Sequence, residues 1–212
     1  MADLILALDV EDRASALRIA EAVAPHVDAI KVGYPLALSA GLSIARDLND
    51  LTGKRLIADF KVADIPNTNQ LICDQAFAAG FHAVIAQGFV GMDAVKACVH
   101  SAHRHGGECY VVAEMSHPGA VEFFHQGVAE RIAAMAVVAG ADGIIAPATR
   151  PDRVQTLRQM VGRLKIYSPG IGAQGGELGQ VTALVDGVII GRMIYGAPDP
   201  AAVAREIRRR CR

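Results

Sequence analysis

Eight short apolar runs, each followed by a longer amphipathic or loop-like stretch, constrain this chain more than any other feature. The runs are Leu4–Leu8, Ala29–Val32, Arg55–Phe60, Ala83–Ala86, Cys109–Ala113, Gly143–Ala146, Lys165–Tyr167 and Gly187–Ile190. They are rich in Val and Ile and too short for helices, so they read as strands. They do not alternate apolar with polar residues, which marks strands covered on both faces, as in a parallel sheet packed under helices. Between them, Asp12–Val23 keeps Ala16, Ile19, Ala20 and Val23 on one helical face, and Thr68–Ala79 follows the turn-forming Ile65-Pro66-Asn67 and stops at Gly80. Eight β-α units predict an α/β fold closed into a single (β/α)8 barrel of the TIM class, occupying residues 1–212 as one domain. An open doubly wound sheet is the structural alternative, disfavoured because no G-x-G-x-x-G follows the first run.

Composition enters as a set of exclusions. A charged fraction of 20% and a hydrophobic fraction of 52% describe a packed chain and not a disordered one. The formal net charge of -1 supplies no basic field, so no nucleic-acid partner is expected. The basic stretch Arg205–Arg212 reads as the last turn of a C-terminal helix, where cations suit the dipole. Cys73, Cys98, Cys109 and Cys211 are scattered without metal-ligand spacing and read as free thiols of a reducing compartment. The first strand-like run starts at Leu4 and leaves no room for a signal peptide, and no apolar run could span a membrane. A cytoplasmic protein with no membrane partner is the expectation.

A short barrel with few insertions should carry its function at the C-terminal ends of its strands. There the sequence places Asp9 after the first strand, Lys31 and Gly33 on the second, Asp59 and Lys61 on the third, Ser116 after the fifth, Pro169 and Gly170 after the seventh, and Gly191 and Arg192 after the eighth. A core has no use for Lys31, Asp59 and Lys61 unless they pair. Asp59 and Lys61, two apart, face the same way on a strand, and Lys31 on the neighbouring strand can flank Asp59. Such a set is either a structural ion-pair network or a catalytic one; its position at a barrel mouth favours catalysis. Five glycines fall between Gly170 and Gly179. With Gly191-Arg192 they predict a phosphate cradle after strands seven and eight, in a loop able to move as a lid. Arg192 adds a fork-shaped cation suited to phosphate.

The stretch Asp59-Phe60-Lys61-Val62-Ala63-Asp64-Ile65-Pro66 resembles the D-x-K-x-x-D-I-P signature of the orotidine monophosphate decarboxylases, which complete UMP synthesis. The resemblance extends through Leu6–Asp9, Lys31–Pro35, Glu114–Gly119, Pro169–Gly176 and Gly191–Tyr195, and the short loops are similar to those of archaeal-type members. It implies Lys61 as proton donor to the carbon that loses CO2, and Asp59 against the substrate carboxylate, held by Lys31. It implies Asp9, Lys31 and Thr68 at ribose hydroxyls and Ser116 and Gln174 at the pyrimidine. Gln174, Gly191 and Arg192 would meet the phosphate, Pro169 and Gly170 would line the base pocket, and Gly175 belongs to the same substrate-binding loop. Asp64, Ile65 and Thr68 would act in the partner subunit's site, making the enzyme a homodimer with shared active sites. No cofactor and no metal are expected. Gln87 stands where many relatives carry His, and His82 and His117 read as exposed or loop histidines rather than ligands.

Two rival readings differ in chemistry. Mg-dependent hexulose-phosphate synthase and ketogulonate-phosphate decarboxylase share D-x-K-x-x-D, but carry a carboxylate where this chain has Lys31, whose charge repels a divalent cation. A non-catalytic UMP- or phosphate-binding barrel would need the glycine cradle but not Asp59, Lys61 and Asp64 together.

Overall fold

A computed structural model describes residues 2–172 and 174–211. Ala173 of the glycine-rich loop and Arg212 of the basic tail lie outside the described residues. Eight parallel strands form a closed barrel in chain order: β1 (Asp3–Leu8), β2 (Ala29–Gly33), β3 (Arg55–Val62), β4 (Ala83–Gln87), β5 (Glu108–Val112), β6 (Gly143–Ile145), β7 (Lys165–Pro169) and β8 (Gly187–Ile190). Pairing of Asp3 with Gly187 and of Leu6 with Ile190 closes β1 onto β8. The open-sheet alternative is thereby removed.

The strands are continuous apolar runs because each face meets a different core. Leu4, Leu6 and Leu8 point outward into the layer beneath the helices, with Ile30, Val32, Val84 and Val188. Ile5 and Ala7 point inward, into a separate cluster with Ile57, Ile85, Tyr110, Val112, Ile145, Tyr167 and Ile189. The pleat assigns alternate residues to the two cores, so both parities are apolar through the body of the strands.

The helix Arg13–Val23 buries Ala16, Ile19, Ala20 and Val23, the face read from their spacing, and Asp12 caps it by accepting from the Ser15 amide at 2.7 Å. The helix after β3 runs from Pro66 to Ala79, earlier than the expected Thr68. Pro66, read as a turn residue, sits in the first turn, where its missing N–H costs nothing. Gly80 closes that helix with φ 106°, a left-handed conformation that a Cβ would disfavour. The basic tail ends the helix Pro200–Arg210, and it is not all solvated: the Arg208 guanidinium grips the Asp28 carboxylate, whose Oδ2 also accepts from the Leu4 amide at 2.8 Å. All four cysteines are free and buried. Among the described residues no helix is long and apolar enough to cross a membrane.

Candidate active site

The C-terminal mouth of the barrel opens into a cleft of about 430 Å³, within the range that holds a nucleotide-sized ligand. Its charged side is built by β1, β2 and β3. Register places Lys31 beside Ala7 of β1 and Gly33 beside Asp59 of β3, so the ends of three adjacent strands present their side chains together. Lys31 Nζ lies 2.8 Å from Asp59 Oδ2 and 3.4 Å from Asp9 Oδ1, and Lys61 Nζ lies 2.8 Å from Asp59 Oδ1. The result is a line of alternating charge, Asp9–Lys31–Asp59–Lys61. Its two ends are partly exposed and its middle is buried: the side chain of Asp9 is 33% exposed, Lys31 6%, Asp59 11% and Lys61 36%.

Burial alone would push the Asp59 carboxyl up, but the charges and hydrogen bonds of Lys31 and Lys61 more than offset it and hold Asp59 below the usual carboxylate range. Burial likewise works to lower Lys31, and Asp59 and Asp9 reverse the sign, so its ammonium is held above its ordinary value. Asp59 and Lys31 are therefore both ionised at neutral pH, with Lys31 bonded to two carboxylates, while Lys61 bonds to one. Gly33 allows this crowding, since a Cβ there would stand 2.3 Å from Asp9 Oδ1.

Regular alternation is not what brings Asp59 and Lys61 together. Between the pairs Ala58–Val84 and Val62–Ala86 the register of β3 slips, and Lys61 adopts φ 43°, a left-handed conformation rare for a residue with a side chain. A bulge that re-aims a side chain beside a cleft is a familiar use of such irregularity. The strain, on the order of 1 kcal/mol, is borne by the packing on either side of it, with Phe60 and Val62 both buried.

The opposite wall is apolar, with Ile85, Val112, Met115 and Ile145 at the ends of β4 to β6. Ser116 and His117 close it from the loop after β5. The third side is the glycine-rich loop after β7. Gly170, Gly172 and Gly175 have φ of 103°, 75° and 90°, and the loop folds on itself through the Gly175 amide to Gly172 carbonyl bond at 2.8 Å and the Gly176 amide to Gly170 carbonyl bond at 3.0 Å. Pro169, Gly170, Gln174, Gly191 and Arg192 all line the cleft. Among the described residues no carboxylate pairs with Arg192, which leaves its guanidinium for a ligand anion.

Four expected residues stand elsewhere. Asp64, Ile65, Thr68 and Gly175 do not line this cleft. Asp64 and Ile65 are exposed on the loop after β3. Asn69 accepts from the Asp64 amide at 2.8 Å, and Asp64 Oδ1 accepts from the Ile65 amide at 2.7 Å. His82 and His117 are exposed, and His82 Nδ1 accepts from the Leu56 amide at 3.1 Å. Gln87 is buried, with its amide 3.7 Å from Met115 Sδ and its carbonyl oxygen unpartnered. Glu114, Met115, Ile171 and Tyr195 also line the cleft from within the motif stretches, beyond the residues expected there. Glu114 was legible by the same rule that found Asp59: an acid at a strand's C-terminal end.

The chain matches the family described as Orotidine 5'-phosphate decarboxylase / HUMPS over residues 2–207. It is similar to a protein of Methanosarcina barkeri named orotidine 5'-phosphate decarboxylase, with 57% identity over 96% of this chain and 92% of the relative. A protein of the same name from Thermococcus kodakarensis is 48% identical over 96% of this chain and 94% of its own length. Among solved structures, the orotidine 5'-monophosphate decarboxylase of Methanocaldococcus jannaschii complexed with the inhibitor BMP superposes with a TM-score of 0.96 at 43% identity, covering 100% of this chain and 99% of that one. The closed barrel, the charge line at its mouth and these likenesses agree: the chain belongs to the Orotidine 5'-phosphate decarboxylase / HUMPS family.

Proposed function

We infer that this protein converts orotidine 5'-monophosphate to UMP and CO2, completing de novo pyrimidine nucleotide synthesis. The observation that carries the reading is Asp59 held ionised between two ammonium groups at a nucleotide-sized cleft that is also lined by the glycine-rich loop and by Arg192, which no carboxylate pairs among the described residues. The family description covers more than one activity, and Lys31 separates them. A buried ammonium, bonded to Asp9 and Asp59, occupies the place where a magnesium enzyme would need a carboxylate.

The chemistry follows from the charges. Breaking the bond between the pyrimidine ring and its carboxylate leaves the electron pair on an sp² ring carbon while CO2 departs. The Lys61 ammonium stabilises that pair and then transfers its proton to the carbon; the resulting amine regains a proton from water. Asp59 faces the substrate carboxylate before the bond breaks. Two unit charges about 4 Å apart at an effective dielectric near 20 repel by roughly 4 kcal/mol, which amounts to about three decades of rate if fully relieved. The rest falls to preorganisation, since both ammonium groups are already fixed, and to phosphate binding energy spent in closing the glycine loop.

We assign Arg192, Gly191 and Gln174 to the phosphate, Ser116 and Gln174 to the base, and Asp9 and Lys31 to the ribose. Asp64, Ile65 and Thr68 we assign to the site of a second copy. Support comes from their lying outside the cleft of their own chain, and from exposed apolar neighbours on the adjoining elements: Ile65 is 65% exposed, Leu71 56% and Leu38 81%. Such surface suits a homodimer. Four free buried thiols fit a cytoplasmic enzyme.

The test is the ultraviolet absorbance of orotidine 5'-monophosphate with purified protein, with and without EDTA. Conversion to UMP at the same rate in both is the expected result. Turnover abolished by EDTA, or none by folded protein, overturns the reading.

A further inference from the structure

Glu114 is fully buried at the edge of the cleft, and neither of its oxygens is free. Oε1 accepts from Arg150 Nε at 2.8 Å and Oε2 accepts from Arg153 Nε at 2.9 Å. Arg153 Nη1 goes on to Glu130 Oε1 at 2.7 Å, and His125 Nε2 stands 3.4 Å from Glu114 Oε1. A carboxylate with both oxygens taken by guanidinium groups is no acid or base for a reaction. What it holds is the loop after β5. Arg150, oriented by Glu114, donates through Nη2 to the Met115 carbonyl, and Thr149 Oγ1 donates to the Ser116 carbonyl at 3.1 Å. Met115, Ser116 and His117, the next three residues of that loop, line the cleft beside it.

We propose that Glu114 is a positioning residue: through Arg150 and Arg153 it sets the backbone at Met115 and Ser116, and so the edge that reads the pyrimidine ring. The inference rests on the assignment of Ser116 to the base. In Glu114→Gln the amide N–H2 meets a guanidinium N–H, donor against donor, so one arginine must swing away. The loop then loses its register, while Gly191 and Arg192, on the far side of the cleft, do not.

Competitive inhibition of turnover by UMP and by ribose 5-phosphate separates a positioning role from a merely structural one, because only UMP carries the base. In Glu114→Gln, UMP inhibition should weaken about tenfold, the worth of one misplaced hydrogen bond, while ribose 5-phosphate inhibition stays within about twofold. Arg153→Gln, which alters no cleft residue, should shift the same ratio in the same direction by less, and carries the test if Glu114→Gln does not fold. Equal weakening of both ligands, or of neither, overturns the proposal. A wild-type protein that neither turns over orotidine 5'-monophosphate nor binds UMP would instead remove the functional reading, and this inference with it.

Discussion

The two mouths of the barrel carry almost the same charges and do different work. At the C-terminal mouth stand Asp9, Lys31, Asp59 and Lys61; at the N-terminal mouth stand Asp3, Arg55, Glu108 and Lys165, one from each odd-numbered strand. Below, Glu108 takes Arg55 Nη2 at 2.8 Å and Lys165 Nζ at 3.0 Å, and also accepts from the Tyr110 hydroxyl. The Tyr167 hydroxyl reaches Asp3 at 3.3 Å, and its ring lies 4.8 Å from that of Tyr110. Burial works against Glu108, but its three partners win and bring its carboxyl down to about 2. The lower set is turned in on itself, roofed by two buried tyrosines. The upper set ends at Lys61, on a backbone bent out of the strand and facing an open cleft. Charge inventory does not distinguish a scaffold from a catalyst; what adjoins the last charge in the line does.

Changes at the upper mouth should cost rate and changes at the lower mouth stability. The largest effect we expect short of removing the proton donor is from Asp59→Asn, with kcat for orotidine 5'-monophosphate down about 10³-fold and KM falling with it, because losing the ground-state repulsion also tightens substrate binding, in steady-state assays of the folded variant. Arg192→Ala should follow, about 10²-fold and mainly in KM, because it removes a charge-assisted contact at the phosphate. Mixing two inactive proteins, Asp64→Asn and Lys61→Ala, should restore about a quarter of wild-type activity by random subunit pairing. No recovery despite demonstrated exchange would confine each site to one chain.

At the lower mouth, Glu108→Gln should leave kcat/KM within about twofold while costing about 2 kcal/mol of stability, read as a drop of several degrees in thermal melting. Its pH dependence has a definite sign. The Glu108 carboxyl is depressed in the folded state, so its contribution is complete above its unfolded value near 4.5 and is lost as pH falls toward about 2. Asp3 opposes this, because burial and then Asp28 raise its carboxyl, and protonating it on acidification relieves that cost. Wild type should therefore lose more stability than Glu108→Gln between pH 5 and pH 2, to the extent of Glu108 alone. Equal losses would mean the lower network contributes nothing net.

The sorting of the two mouths was only half legible in the sequence. The barrel was readable because unalternating apolar strands admit few other folds, and the upper charges because Lys31, Asp59 and Lys61 interrupt apolar strands at one end. The lower charges begin strands, where polar residues are ordinary, so nothing in Glu108 or Lys165 marked them as partners 57 residues apart. The same holds for Glu114, whose arginines lie 36 and 39 residues away. Nor could the strand pattern show that Lys61 leaves regular geometry; that conformation is imposed by the register of β3 on β4. Pro66 read as a turn and proved a helix start, because the same fixed φ serves both.

The most direct test of the upper mouth as the chemical one is Lys61→Ala, measured for turnover of orotidine 5'-monophosphate and, in the same sample, for UMP binding by calorimetry. Turnover should fall by at least about 10⁴-fold, from loss of both the proton and the charge, while UMP still binds. A variant that keeps wild-type turnover would contradict the account.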